Sequence, residues 1–397
     1  MFRDHINTAD KLTTAPGLFM ITLSSIALGA AFGGYLPLIS LWLETLGISF
    51  QKIGLVSGMA ALGIVSSAYF APHLVARYGN IPVINIGLCL AAVMMVALRF
   101  TESMALWLVI RFIGGLGLGL HWVLTEAWLA RIAADQGRTR VMAIYATAVG
   151  LGFAVGPGII WLFGFETATP FFLIAILPVI GALPIYALRR HEPKITFTGG
   201  GSPLRLIRRA PTVAMACVVA GGVDLALITL MPVIVARTPE AATMLTLSIV
   251  PAMAVGNVVL QYPIALLADR YGLRRIGMII ATIGLALCSL IPFFLHSALL
   301  ALILAFLGAG LVYGLYSIGL AMLAKRFTGG EIIAANAGFV IIFELSNLAG
   351  PAIAGILLDI NMRLGLPIFM VSVGIFYLIG SWVRRRASAD RYKRRQN

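Results

Sequence analysis

Apolar residues fall along this chain in long uninterrupted runs divided by short polar stretches, not in the strict alternation of a strand or the single stripe of a surface helix. A hydrocarbon layer about 30 Å thick is crossed by about 20 helical residues. Runs of that order occur at 18–43, 53–76, 81–99, 104–130, 141–163 and 170–188, then at 212–236, 243–268, 276–295, 298–324, 332–357 and 366–383. The pattern predicts an all-α membrane protein with twelve transmembrane helices. Composition agrees: 60% of the 397 residues are hydrophobic and 11% are charged, at a mean hydropathy of +0.99, whereas soluble domains are roughly 25% charged. A soluble enzyme is excluded on that ground.

The formal charge of +14 changes meaning once the cations are placed between the runs. With the amino terminus inside, twenty-four of the 29 Lys and Arg fall on the inner side. Lys52, Arg99, Arg237 and Arg363 fall on the other, and Arg111 lies inside a run. This is the positive-inside asymmetry with both termini cytoplasmic, in a multi-pass protein of a bacterial-type inner membrane. The basic pI is therefore a topology signal, and no nucleic-acid partner is expected. The first run is too long for a cleavable signal and lacks an A-x-A-like exit, so it is expected to remain as an anchor. Cys89, Cys217 and Cys288 all fall inside runs and read as small buried apolar residues.

The segment 189–211, RRHEPKITFTGGGSPLRLIRRAP, reads as a flexible basic linker between an N-terminal six-helix bundle (1–188) and a C-terminal one (212–397) with a basic tail. The halves share a pattern. Leu36-Pro37-Leu38-Ile39 matches Met231-Pro232-Val233-Ile234 at an offset of 195, and Arg77-Tyr78-Gly79 matches Arg270-Tyr271-Gly272 at 193. Phe112-Ile113-Gly114 matches Phe306-Leu307-Gly308, and Gly156-Pro157 matches Gly350-Pro351, both at 194. A nearly constant offset at four places marks an internal repeat, and parallel six-helix repeats are one architecture of secondary transporters.

The loop Ala265-Leu266-Leu267-Ala268-Asp269-Arg270-Tyr271-Gly272-Leu273-Arg274-Arg275 resembles the G-x-x-x-D-R-x-G-R-R loop of the major facilitator superfamily (MFS), with Ala265 in the first Gly place. In the first half, Ala76-Arg77-Tyr78-Gly79-Asn80 keeps Arg and Gly but has Ala76 where the family carries Asp. Arg111-Phe112-Ile113-Gly114-Gly115-Leu116-Gly117 is similar to the family's fourth-helix R-x-x-x-G-x-G pattern. Gly152 and Gly156-Pro157 match part of the fifth-helix motif associated with antiporters, without its later glycine pair. The resemblance covers the whole chain. It implies two pseudo-symmetric bundles of the MFS fold, a monomer with a solute site near mid-membrane, and alternating access. The wording around Trp122-Val123-Leu124-Thr125-Glu126 and Gly350-Pro351 is most similar to a bacterial subgroup of uncharacterised carriers that includes a riboflavin importer.

The resemblance implies a cytoplasmic gate at Asp269, Arg270, Gly272, Arg274 and Arg275, with Arg77, Gly79 and Glu126 as first-half counterparts. Gly272 allows a sharp turn, and Asp269 can accept hydrogen bonds from neighbouring arginines. Glu126 lies near the cytoplasmic end of span four, within reach of Arg77 or Arg131 for a gate salt bridge.

Ionisable groups inside the hydrocarbon region are costly and mark sites of function, or else pairs that serve packing. Asp224 is about 12 residues from either end of span seven, about 18 Å from each surface, beyond rescue by snorkelling. In the family this span lines the cavity, which makes Asp224 the first candidate for proton coupling or for holding a donor on the solute. Glu344, with Asn347 one turn on, is similarly central in span eleven. Arg111 either pairs with a buried carboxylate, attracts an anionic group, or snorkels outward. His121 and Trp122 in span four and Tyr313 and Tyr316 in span ten occupy matching stretches, where aromatics can sandwich a planar heterocycle or serve as packing. Tyr35, Tyr145, Asn257 and Gln261 are further candidates.

No metal-ligand spacing, phosphate-binding loop or nucleophile–base constellation occurs, so neither cofactor nor catalysis is expected. The expected activity is secondary transport of a small organic solute, with a proton as the coupled ion. Either uptake of a vitamin-like heterocycle such as riboflavin or proton-antiport efflux of drugs fits this chemistry. A carrier-like sensor that binds without transporting is the remaining class.

Overall fold

The computed structural model describes residues 8–136, 138–189, 203–239, 241, 243–327 and 330–396. The longer elements are all α-helical. They are α1 (Thr8–Thr45), α2 (Phe50–Tyr78), α3 (Asn80–Ala97), α4 (Met104–Gln136), α5 (Arg138–Val155), α6 (Pro157–Phe163) and α7 (Thr169–Ala187). After the linker come α8 (Pro203–Arg209), α9 (Pro211–Ala236), α10 (Thr243–Val259), α11 (Gln261–Tyr271), α12 (Leu273–Leu290), α13 (Ala298–Arg326), α14 (Gly330–Ile360) and α15 (Gly365–Gln396). Among the described residues, ten stretches are long and apolar enough to cross a membrane, and two shorter apolar ones, Thr147–Phe163 and Gly365–Ser381, occupy the places of spans five and twelve. Twelve apolar helical stretches thus stand where twelve runs are predicted.

Two spans are assembled from pairs of helices, and proline explains both breaks. Pro157 cannot donate to the carbonyl four residues back, and α5 gives way to α6 at Gly156-Pro157. Pro263 does the same to the carbonyl of Val259, where α10 ends and α11 follows after one residue. The predicted linker lies largely outside the described residues, which resume at Pro203; its last part is the short helix α8.

The described chain divides into two compact units, residues 1–38 with 62–197, and residues 39–61 with 198–397. In the first, α3 packs extensively on α4 and on α7; in the second, the most extensive contacts are α9 on α14, α10 on α13 and α12 on α13. The repeat seen in sequence is repeated in the packing. A Cβ at Gly63 would run into the Phe112 carbonyl, and one at Gly256 into the Phe306 carbonyl, so spans two and four and spans eight and ten approach backbone to backbone at equivalent points. Gly156 meets the Ala30 carbonyl of span one, and Gly350 meets the Gly222 carbonyl of span seven. Small residues at such crossings let helices in lipid gain dispersion contact and exclude any larger side chain.

The turns between spans two and three and between eight and nine are a single glycine each, Gly79 at φ 84° and Gly272 at φ 96°. That left-handed conformation is costly for any residue with a Cβ, which explains the glycine in both Arg-Tyr-Gly sequences.

The short segment 39–61 is held within the second unit by helix-end chemistry. The Asp359 carboxylate at the end of α14 accepts hydrogen bonds from the backbone N–H groups of Phe50 (2.8 Å) and Gln51 (2.9 Å), capping the start of α2. Gly54 and Gly355 allow α2 and α14 to touch through backbone. Cys217 and Cys288 are buried as expected, but Cys89 is exposed. It belongs to a stripe with Ile86 and Val93 on the outer face of α3, a surface that only lipid would cover.

Candidate functional site

In the first unit the candidate residues gather on spans one, three and four. Arg111 is buried, and its guanidinium lies 5.4 Å from the centre of the Tyr35 ring. Snorkelling is therefore not its arrangement: the side chain stays inside the unit, against an aromatic face. Tyr35 donates its hydroxyl proton to the Met95 carbonyl at 3.3 Å. Beside the pair is a small cleft lined by Tyr35, Met94, Met95, Arg111, Gly114 and Leu118.

About three helical turns beyond Arg111 on span four, His121 is fully buried, with Nε2 hydrogen-bonded to Ser24 Oγ at 2.9 Å and Nδ1 without a hydrogen-bond partner. Trp122 packs edge-on against Phe32, ring centres 6.1 Å apart, and donates its indole N–H to Glu126 Oε1 at 2.7 Å. The partner of Glu126 is thus the tryptophan one turn before it, not Arg77, whose guanidinium sits over the Tyr78 ring at 5.2 Å. The Arg131 side chain lies outside the described residues. A buried indole N–H requires an acceptor, and an i, i+4 neighbour on the same helix face reaches it without distortion. Tyr145 is buried in α5.

The second unit holds the two carboxylates. Asp224 is half-buried in the middle of α9, and Asn257 of α10 donates to its Oδ1 at 3.4 Å. No cation forms an ion pair with Asp224 among the described residues. Glu344 accepts a hydrogen bond from Asn347 Nδ2 at 3.2 Å on α14, and Asn347 Oδ1 has no hydrogen-bond partner although it is enclosed.

Next to Glu344 is an aromatic cluster larger than the sequence suggests. Tyr313 and Tyr316 on α13 stack nearly parallel, centres 5.7 Å apart and planes at 11°. Tyr316 meets Phe339 and Phe343 of α14 edge-on at 5.2 and 5.0 Å. Phe339 and Phe343 are four residues apart on one helix face, a signal available in the sequence. Gln261 accepts a hydrogen bond from Ser317 across α11 and α13.

At the predicted gate, Asp269 and Arg270 are exposed, and Arg270 lies over Tyr271 at 5.3 Å just as Arg77 lies over Tyr78. Asp269 makes no ion pair among the described residues. Arg274 donates to the Ser381 carbonyl, tying α12 to α15, while Arg275 is exposed. At the opposite end of the spans, Arg237 after α9 makes an ion pair that the sequence leaves unread. Its Nε donates to Glu44 Oε1 (2.7 Å), and its Nη2 donates to Glu44 Oε2 (2.5 Å) and to the Ile48 carbonyl (2.9 Å). The same guanidinium lies 4.1 Å from the centre of the Phe50 ring.

A duplicated set of spans with carboxylates and amides held at mid-depth and aromatics beside them defines a polytopic membrane carrier. The Major Facilitator Superfamily profile matches residues 21–255 and 237–396, and the chain belongs to that family of transporters. It is 25% identical over 342 residues to the uncharacterised MFS-type transporter YfkF of Bacillus subtilis, covering 85% of this chain and 87% of the relative. It is 24% identical over 374 residues to the uncharacterised MFS-type transporter YcaD of Salmonella enteritidis, covering 91% and 92%. Among solved structures, the nucleoside transporter NupG superposes with a TM-score of 0.74 at 14% identity, over 92% of this chain and 98% of that one. A bacterial homologue of the human lysosomal transporter Spinster superposes at 0.68 and 14% identity, over 94% and 96%. At such identities these two structures share the fold.

Proposed function

We propose that this protein is a proton-coupled secondary carrier for a small planar organic solute, working by alternating access in a bacterial inner membrane as a monomer with both termini on the cytoplasmic side. The halves 1–188 and 212–397 are the moving parts, and the Asp269–Arg275 loop with Arg77, Gly79 and Glu126 forms the cytoplasmic gate.

The observation that carries the coupling is Asp224. A half-buried carboxylate at mid-span with a neutral amide for a partner, and no cation in an ion pair with it, can be stabilised in either protonation state. Glu344 with Asn347 is the second polar station. The solute class follows from the stacked Tyr313–Tyr316 pair, with Phe339 and Phe343 beside it and Glu344 next in sequence. Flat rings stack on such a surface, and the carboxylate and amide satisfy ring nitrogens and hydroxyls. Vitamin-like heterocycles such as riboflavin fit this description, as do nucleosides, which NupG carries in the same fold.

The test is uptake into proteoliposomes with an imposed pH gradient, using a panel of flavins, nucleosides and non-planar sugars of equal size. A planar solute is expected to accumulate only while the gradient persists. Binding without accumulation would mark a sensor instead, and equal uptake of the sugars would remove the aromatic surface from the site.

A further inference from the structure

At the water end of α9, outside every membrane-spanning stretch, α8 forms one wall of a shallow cleft. The cleft is lined by Arg205, Leu206 and Arg209 of α8, by Phe327 and by Glu331 and the alanines after it. Leu206 is buried in a core cluster with Ala210, Val213, Phe327 and Phe339, which fixes α8 against α14.

The rest of the short helix faces outward with two chemistries. Leu204 and Ile207, three residues apart and so on one face, are 55% and 46% exposed. Arg205, Arg208 and Arg209 are also exposed, and Lys325 and Arg326 at the end of α13 add two cations beside Phe327. The single acid in the cleft, Glu331, accepts from Arg209 Nη1 at 2.9 Å. A guanidinium has five N–H donors and a carboxylate engages at most two of them, so Arg209 keeps donors for a second acceptor. Arg205 lies one turn away on the same face.

We propose that the exposed face of α8 at this cleft binds the phosphodiester of an anionic phospholipid, of the phosphatidylglycerol type. Arg205 and Arg209 hold the phosphate oxygens, Glu331 accepts from the headgroup hydroxyls, and Leu204 and Ile207 lie against the acyl chains. A free phosphate would satisfy the arginines equally well. The position of α8 immediately before Pro211, where the spanning stretch begins, and its two exposed apolar side chains favour the lipid.

The experiment is native mass spectrometry of the full chain in detergent, titrated with dioleoylphosphatidylglycerol, dioleoylphosphatidylcholine or inorganic phosphate. The first phosphatidylglycerol adduct is expected to form well below the concentration needed for phosphatidylcholine. The Arg205→Gln/Arg209→Gln double variant should raise the concentration needed by at least about tenfold. Lys52→Gln, exposed at the other end of the spans, should leave it unchanged. Glu331→Gln should tighten the lipid by removing a repulsive charge, whereas a merely structural Arg209–Glu331 bridge predicts no gain. Equal binding of the two lipids, an unaltered adduct in the double variant, or displacement of the lipid by millimolar phosphate would each overturn the assignment.

Discussion

The Arg237 guanidinium meets the Glu44 carboxylate through two hydrogen bonds of 2.7 and 2.5 Å, with a third to the Ile48 carbonyl and the Phe50 ring against its face. Both side chains are about three-quarters enclosed, at 27% and 21% exposure. Charge-assisted hydrogen bonds of this kind are worth about 1.5–3 kcal/mol, well above an exposed surface pair. A double-mutant cycle with Glu44→Gln and Arg237→Gln, read from unfolding in detergent, is expected to return a coupling energy of that order. Additive single effects would mean that the two groups stabilise the helix ends independently.

Asp224→Asn preserves the shape of the side chain and its ability to pair with Asn257, but removes the titratable proton. The variant is expected to insert, fold and exchange solute across the membrane at near wild-type rate while failing to accumulate it against a gradient. Accumulation that persists across a pH series would remove Asp224 from the coupling step.

Tyr316→Leu keeps apolar bulk against Phe339 and Phe343 and loses the ring that stacks on Tyr313. If the ring serves a planar solute, the half-saturation concentration should rise by about two- to tenfold, equivalent to about 0.5–1.5 kcal/mol, with little change in maximal rate. A lower melting temperature with unchanged half-saturation would reassign the cluster to packing alone.

Gly350→Ala places a methyl group against the backbone of Gly222, where no side chain can yield. Loss of about 1–3 kcal/mol in stability is expected. Gly158→Ala is the matched control: nothing lies within 4 Å of its added Cβ, so the helix should gain slightly from the better helix former. Similar melting curves for the two variants would contradict the close crossing of spans seven and eleven.

Asp269→Ala is expected to slow turnover more than it weakens solute binding, because the residue is exposed in the last turn of α11 and makes no ion pair among the described residues. Rapid-mixing transport compared with equilibrium binding separates the two; a defect confined to binding would place Asp269 at the solute and not at a gate.

The spans and their duplication are legible from sequence because lipid imposes a length and an apolarity on every crossing, and because the repeat carries its own punctuation in Arg-Tyr-Gly and Gly-Pro. Side-chain partners are less so. Charge alone sends Glu126 toward an arginine, yet Trp122 at i−4 has a buried N–H with a stronger local claim. Asp224 and Asn257 are separately conspicuous, but nothing in either helix states that spans eight and seven bring them together. Glu44 and Arg237 are 193 residues apart, each at a helix end, where local patterns carry no information about the opposite member. Cys89 shows the reverse limit: apolar on all sides, α3 does not announce which face meets lipid.

The carboxylate that caps α2 comes from Asp359, 309 residues after the backbone amide of Phe50. During synthesis, α2 is therefore made with its leading amides uncapped, and this cap can form only once α14 has been made. A nascent chain arrested before that point would lack the carboxylate that satisfies the first amides of α2.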